Sequence, residues 1–175
     1  MAGPPATLGA QVAAATGQNP FRCYQCGNCS AGCPMAGQGD LLPHQVFRHL
    51  QLGDDEPLRA VQPWLCVGCR TCTVRCPQEL DLSVVMDFLR SEAIRRGTVP
   101  RAARSMAIFN QVFLERILAT GRLREVELGA VYNLRTRSPL QNLSALPSLL
   151  RRGKIRLGGK ILRGPGVARR AWRAA

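Results

Sequence analysis

Aromatic residues make up only 5% of this 175-residue chain. Runs of β-branched residues are equally scarce, which argues against a large sheet. No window approaches the roughly 18 uninterrupted apolar residues a membrane-spanning helix needs. Residues 1–20, MAGPPATLGAQVAAATGQNP, have no basic n-region, no twin arginine and no long apolar core, so no secretory signal is expected. No G-x-G-x-x-G follows a strand pattern, and no acid–base cluster is evident, which leaves no nucleotide pocket or hydrolytic constellation. Lysine is nearly missing, with two against 22 arginines.

What is abundant is cysteine, and its placement is regular. CYQCGNCSAGCP, from Cys23 to Pro34, returns as CVGCRTCTVRCP, from Cys66 to Pro77. Both read C-x2-C-x2-C-x3-C-P, and together they hold all eight cysteines. That spacing matches the bacterial iron–sulfur run. Pro34 and Pro77 lock φ and turn the chain away just after the last ligand. In two-cluster proteins of this kind the fourth cysteine of each run serves the other cluster. By that rule Cys23, Cys26, Cys29 and Cys76 hold one [4Fe–4S] cube, and Cys66, Cys69, Cys72 and Cys33 hold the second.

Three plainer readings compete. A disulfide framework suits short secreted chains, and no secretory leader is read here. Structural zinc uses C-x2-C pairs but leaves no role for a third cysteine two residues on, nor for the repeated C-P. A free redox C-x-x-C would need only two cysteines. Two [4Fe–4S] clusters account for every cysteine, and reduced thiolates holding oxygen-sensitive metal fit a cytoplasmic setting.

Charge is divided along the chain. Residues 1–90 carry six arginines and seven acids; residues 91–175 carry 18 basic residues and four acids. The segment RRGKIRLGGKILRGPGVARRAWRAA, residues 151–175, has nine basic residues, no acid and five glycines. It is too polar and glycine-rich to fold alone. Basic tails can bind nucleic acid, but no nucleic-acid module accompanies this one, so a partner protein is the better expectation.

The rest reads as helices. A short one is expected around Leu8–Ala15. LLPHQVFRHLQLG follows, with Pro43 early, Val46, Phe47 and Leu50 on one face and Gly53 as the stop. PLRAVQPWL is expected to be helical but broken near Pro63. His44 and His49 are five apart, so they make no metal pair on one face, and solvent-facing or capping roles are expected of both. Trp64 is expected in the core, shielding the second cluster. DLSVVMDFLRSEAIRRG can be capped by Asp81 or Ser83 and closed by Gly97. Beyond Pro100, Met106, Phe109, Phe113 and Ile117 step along one helix face. Leu123, Val126, Ala130 and Leu134 do so along the next, and residues 141–150 suggest a last short helix. The expected architecture is all-α. Residues 1–97 form a helical dicluster ferredoxin module, 98–150 a helical extension, and 151–175 a basic, partner-docking tail.

The residues ATGQNPFRCYQCGNCSAGCP, LLPHQVFRHLQLG and CVGCRTCTVRCP followed by DLSVVMDFLR resemble the C-type iron–sulfur subunit of heterodisulfide reductase. FNQVFLERILATGRLREVEL and PSLLRRGKIRL are also similar to that family. The cysteine runs alone are less specific, since they occur too in iron–sulfur subunits of fumarate reductases and glycolate oxidases. The resemblance implies a small protein that relays single electrons through two [4Fe–4S] clusters. It would sit between a flavin-containing A-type partner and a catalytic, disulfide-active B-type partner. All eight implied ligand positions are matched, by Cys23, Cys26, Cys29, Cys33, Cys66, Cys69, Cys72 and Cys76. The same internal chemistry would serve another anaerobic oxidoreductase, of the fumarate reductase or sulfur-oxidising type.

Overall fold

In a computed structural model the described residues are 7–121 and 123–137. The expected helix at 141–150 and the tail at 151–175 lie outside them. Among the described residues every regular element is helical, as the all-α reading requires. The chain divides into two compact units, residues 1–104 and 105–175.

The first unit holds α1 (Leu8–Thr16), a 3-10 turn (Pro20–Arg22), α2 (Asn28–Ala31), α3 (Pro43–Leu52), α4 (Glu56–Arg59), α5 (Gln62–Leu65), α6 (Thr71–Val74) and α7 (Leu82–Arg96). Its boundaries follow local chemistry. Thr7 Oγ1 accepts from the Ala10 N–H at the start of α1. Gly17 ends that helix at φ 70°, a left-handed conformation that costs glycine little. Pro43 opens α3, where its missing N–H loses nothing, while Gln45 Oε1 accepts from the Leu42 N–H at 2.7 Å. Asp81 caps α7 by accepting from the Ser83 N–H at 3.0 Å. At its other end the Gly97 and Thr98 N–H groups return to the Ile94 and Ala93 carbonyls.

These helices bury one shared core. Leu8 and Val12 of α1, Val46, Phe47 and Leu50 of α3, Leu58 of α4, and Val85, Met86, Leu89 and Ala93 of α7 are all nearly inaccessible. Fully burying one such aliphatic side chain stabilises by about 1.5–3 kcal/mol, so this cluster is the main support of two cysteine runs that have little regular structure themselves. The long α7 packs against α1, α4, α5 and α6. The expected break near Pro63 falls instead at Ala60–Val61. Pro63 sits in the first turn of α5, where a proline is tolerated. Asp40 makes that break possible, since its carboxylate accepts from the Val61 N–H at 2.8 Å and the Gln62 N–H at 3.1 Å.

In the second unit α8 (Arg104–Thr120) and α9 (Glu125–Arg135) are antiparallel neighbours tied by two ion pairs, Arg116–Glu127 at 2.7 Å and Arg135–Glu115 at 2.7 Å. The Phe109 ring lies 5.8 Å edge-on to Tyr132 and 6.1 Å from Phe113. The face expected of α9 is not the buried one. Val126, Ala130 and Leu134 are exposed, and Leu128 is the buried residue. The ion pairs and the Tyr132 ring select that turn of the helix.

Candidate metal centre

Each cysteine run folds in the same way. A loop carries the first two cysteines, a single helical turn carries the third, and a tight turn delivers the fourth. In both loops the second and fourth residues after the first cysteine are left-handed: Gln25 at φ 63° and Gly27 at 79°, Gly68 at 65° and Arg70 at 58°. A non-glycine residue there costs about 1–2 kcal/mol, and a left-handed residue beside right-handed ones turns successive N–H groups into an anion-binding concavity. Such strain is kept at sites where the loop wraps something negative.

The hydroxyl residue after the third cysteine fastens each run to the helix that follows. Ser30 Oγ lies 2.7 Å from His44 Nδ1 and accepts from the His44 N–H at 3.0 Å. Thr73 Oγ1, at the same register of the second run, donates to Asp81 at 2.9 Å. Asp81 also takes hydrogen bonds from Arg70 and from Ser83 Oγ. Burial alone would lift its carboxyl, but the donors from Ser83, Arg70 and Thr73 hold it down at about 2. The two histidines, for which solvent-facing or capping roles are expected, part company. His49 meets that expectation, paired with Asp54 at 2.9 Å near the end of α3. His44 does not: the Ser30 hydroxyl draws its ring into the site.

Two hollows lie between the runs. The first, of about 340 Å³ with its open mouth, is bordered by Cys23, Cys26, Cys29, Cys72 and Cys76, with His44 in its wall. The second, of about 420 Å³, is bordered by Cys33, Cys66, Cys69 and Cys72. Each hollow therefore meets three cysteines of one run and the fourth cysteine of the other, with Cys72 touching both. Gln62, Leu82 and Met86 complete the second wall. Trp64 is buried as expected, yet the shielding expected of it falls to those three residues.

The donor set fits iron–sulfur cubes. All eight cysteines are free thiols. Burial pushes the Cys29 thiol up to about 11, and raises Cys23 and Cys72 too. Neighbouring thiolates add to this, Cys76 and Cys26 at Cys23, and Cys66 at Cys72. The metal-free chain therefore resists forming the several thiolates that share each hollow. Bound iron supplies the positive charge that reverses this. Cys69, at the exposed edge of the second hollow, is instead lowered by its hydrogen bond with Thr71. The positive ends of α3 and α7 also open on the hollows, through Pro43 and Ser83 at the second and His44 at the first. Sequence reasoning missed His44, Gln62 and Asp81 as parts of the site's surroundings. No short-range spacing marks them, because each acts across a gap in the chain.

Comparison with known proteins agrees with this geometry. The family model for the 4Fe-4S dicluster domain matches residues 16–81. The class is therefore a helical, dicluster iron–sulfur electron-transfer domain, and its cofactors are two [4Fe–4S] clusters. More particularly, the sequence is similar to those of C-type iron–sulfur subunits of heterodisulfide reductase, the likeness its motifs imply. It is 31% identical over 122 residues to the second C-type iron–sulfur subunit of the CoB–CoM heterodisulfide reductase of Methanocaldococcus jannaschii, covering 70% of this chain and 64% of that one. It is 34% identical over 88 residues to the corresponding protein of Methanopyrus kandleri, covering 50% and 46%. With the C-type subunit of the ferredoxin:CoB–CoM heterodisulfide reductase of Methanosarcina acetivorans it shares 36% over 76 residues, covering 43% and 31%. The match thus spans less than two thirds of each of these relatives. Among the described residues no helix is long and apolar enough to cross a membrane.

Proposed function

We propose that this chain is the electron-transfer subunit of a cytoplasmic heterodisulfide-reductase-type complex. It relays single electrons between a flavin-containing partner and a catalytic, disulfide-active partner. Cys23, Cys26, Cys29 and Cys76 hold one cube; Cys66, Cys69, Cys72 and Cys33 hold the other. When bound, each cube takes up and gives back one electron. The chain's own residues do the rest. Left-handed loops wrap the cubes, the buried core of α3 and α7 fixes the loops, and Leu82, at the wall of both hollows, keeps water out. Every cysteine is committed, so no ligand position is left for a substrate. The basic segment 151–175 serves to dock the relay on its partners.

The observation that supports this most directly is the composition of each hollow, with the fourth cysteine supplied by the opposite run. The test is an anaerobic preparation analysed for metal. About eight iron and eight sulfide per chain are expected from two four-iron cubes, and zinc in their place would end the proposal. Cys33→Ser should then disturb the cube that Cys66, Cys69 and Cys72 share. Damage confined to the other cube would overturn the crossed ligation.

A further inference from the structure

The two runs share their cysteine spacing and a hydroxyl residue after the third cysteine, but that hydroxyl meets a different partner in each. Beside the residue after the third cysteine of the first run stands an imidazole ring, His44; beside its counterpart in the second stands a carboxylate, Asp81. The Thr73 and Ser83 hydroxyls and the Arg70 guanidinium each donate to that carboxylate. The first run has no such anion.

The relative strength of the acceptors around Ser30 Oγ decides where the proton on His44 sits. Ser30 Oγ accepts from the His44 backbone N–H, and it holds a single hydrogen of its own. That hydrogen faces two acceptors, Nδ1 at 2.7 Å and the sulfur of neighbouring Cys29. A thiolate bound to iron has given up much of its charge, so the imidazole nitrogen is the stronger acceptor. Nδ1 then receives the bond and the ring proton resides on Nε2. Nδ1 is committed to Ser30, so Nε2 is the ring's one polar atom left to meet the contents of the first hollow, whose wall His44 helps to form. A hydrogen bond to a cluster sulfur favours the more negative, reduced state and raises the potential.

We propose that His44, positioned by Ser30, donates a hydrogen bond from Nε2–H to a sulfur of the centre in the Cys23, Cys26, Cys29 and Cys76 hollow, and so raises the potential of that centre alone. Gln25 Nε2 reaches Cys23 Sγ at 3.4 Å and Thr71 lies 3.5 Å from Cys69 Sγ, while Tyr24, on Cys26, is a further donor at the first centre; the test at His44 reads the histidine's share alone. The inference deepens the relay reading and rests on its two cubes.

The experiment is a redox titration of the anaerobic protein followed by electron paramagnetic resonance, with iron content measured alongside. In His44→Phe one of the two midpoint potentials should fall while the other stays. In His44→Gln, whose amide nitrogen can take the place of Nε2, the lowered potential should recover in part. Wild-type protein labelled with ¹⁵N-histidine should show a nuclear coupling to one reduced centre; His49, paired with Asp54 on the far end of α3, supplies none. This measurement stands even where the phenylalanine variant loses iron. Two intact centres with unmoved potentials and no ¹⁵N coupling would overturn the role of His44 and leave the relay untouched. A fall produced by Ser30→Ala but not by His44→Phe would also overturn it, by making the hydroxyl the donor. Fewer than two cubes in the wild type would instead count against the relay reading itself.

Discussion

Gly9 offers a test in which two ordinary rules predict opposite signs. It lies in the first turn of α1, where replacing glycine by alanine would gain up to about 1 kcal/mol of helix propensity. The site forbids it. A Cβ built on Gly9 would sit 2.4 Å from the Leu50 carbonyl oxygen and 3.4 Å from the Phe21 ring. That oxygen belongs to the main chain of α3 and cannot swing aside, so α1 would have to retreat by roughly 0.6 Å or more. Overpacking of that kind costs about 1–3 kcal/mol. The net expectation is a loss of up to about 2 kcal/mol, and each 1.4 kcal/mol is about a tenfold change in equilibrium. The strain would not stay local. Gln51 on α3 donates to the Pro20 and Cys23 carbonyls at 3.0 and 2.6 Å, so the displaced turn carries the first ligand cysteine with it. Gly9→Ala should therefore lower the thermal midpoint under anaerobic conditions and speed loss of the visible iron–sulfur absorbance several-fold. Ala14→Gly, on the exposed side of the same helix, calibrates the propensity term. A Gly9→Ala protein more stable than wild type would refute the close crossing of α1 and α3.

Two further outcomes are expected. Glu92, buried on α7, is held down at about 2, first by Arg95 and then by Arg96, which also reaches Asp55 and Gln11. Its folded pKa is depressed, so its stabilisation is complete above its ordinary value of 4.5 and fades as pH falls towards about 2. The difference in melting temperature between wild type and Glu92→Gln, followed by circular dichroism, should stay constant from neutral pH to about 5 and close below that; a gap that widened in acid would contradict it. Deleting residues 151–175 should leave iron content unchanged and weaken complex assembly, more at low salt than at high, where screening already removes the tail's contribution, as measured by co-purification with partner subunits; normal assembly would make that segment a bystander.

The parts of this molecule that are legible in the sequence are those governed by neighbours along the chain. Pro43 and Gly53 bracket α3, Asp81 and Gly97 bracket α7, and the apolar spacing of Val46, Phe47 and Leu50 marks the buried face. The cysteine runs are legible for the same reason, since ligand spacing is local. What stays hidden depends on contacts across the chain. Asp40 reaches 21 residues ahead to split α4 from α5, and the Ser30–His44 bond spans 14 residues. Nothing in the period of α9 says that Tyr132 and the Glu127 and Arg135 ion pairs will choose its buried face. The left-handed backbone at Gln25 and Arg70 is equally silent, because neither residue type advertises it.

That each hollow takes its walls from both runs has a consequence for the newborn chain. Cys23, Cys26 and Cys29 leave the ribosome roughly 50 residues ahead of Cys76. At about 5–20 residues per second they wait for about 3–10 s with no fourth wall to close around them. For that interval they are bare thiols on an unfinished protein, open to oxidation and to whichever metal arrives first. The window closes only when the second run has emerged, and a translational pause between the runs would lengthen the exposure in direct proportion.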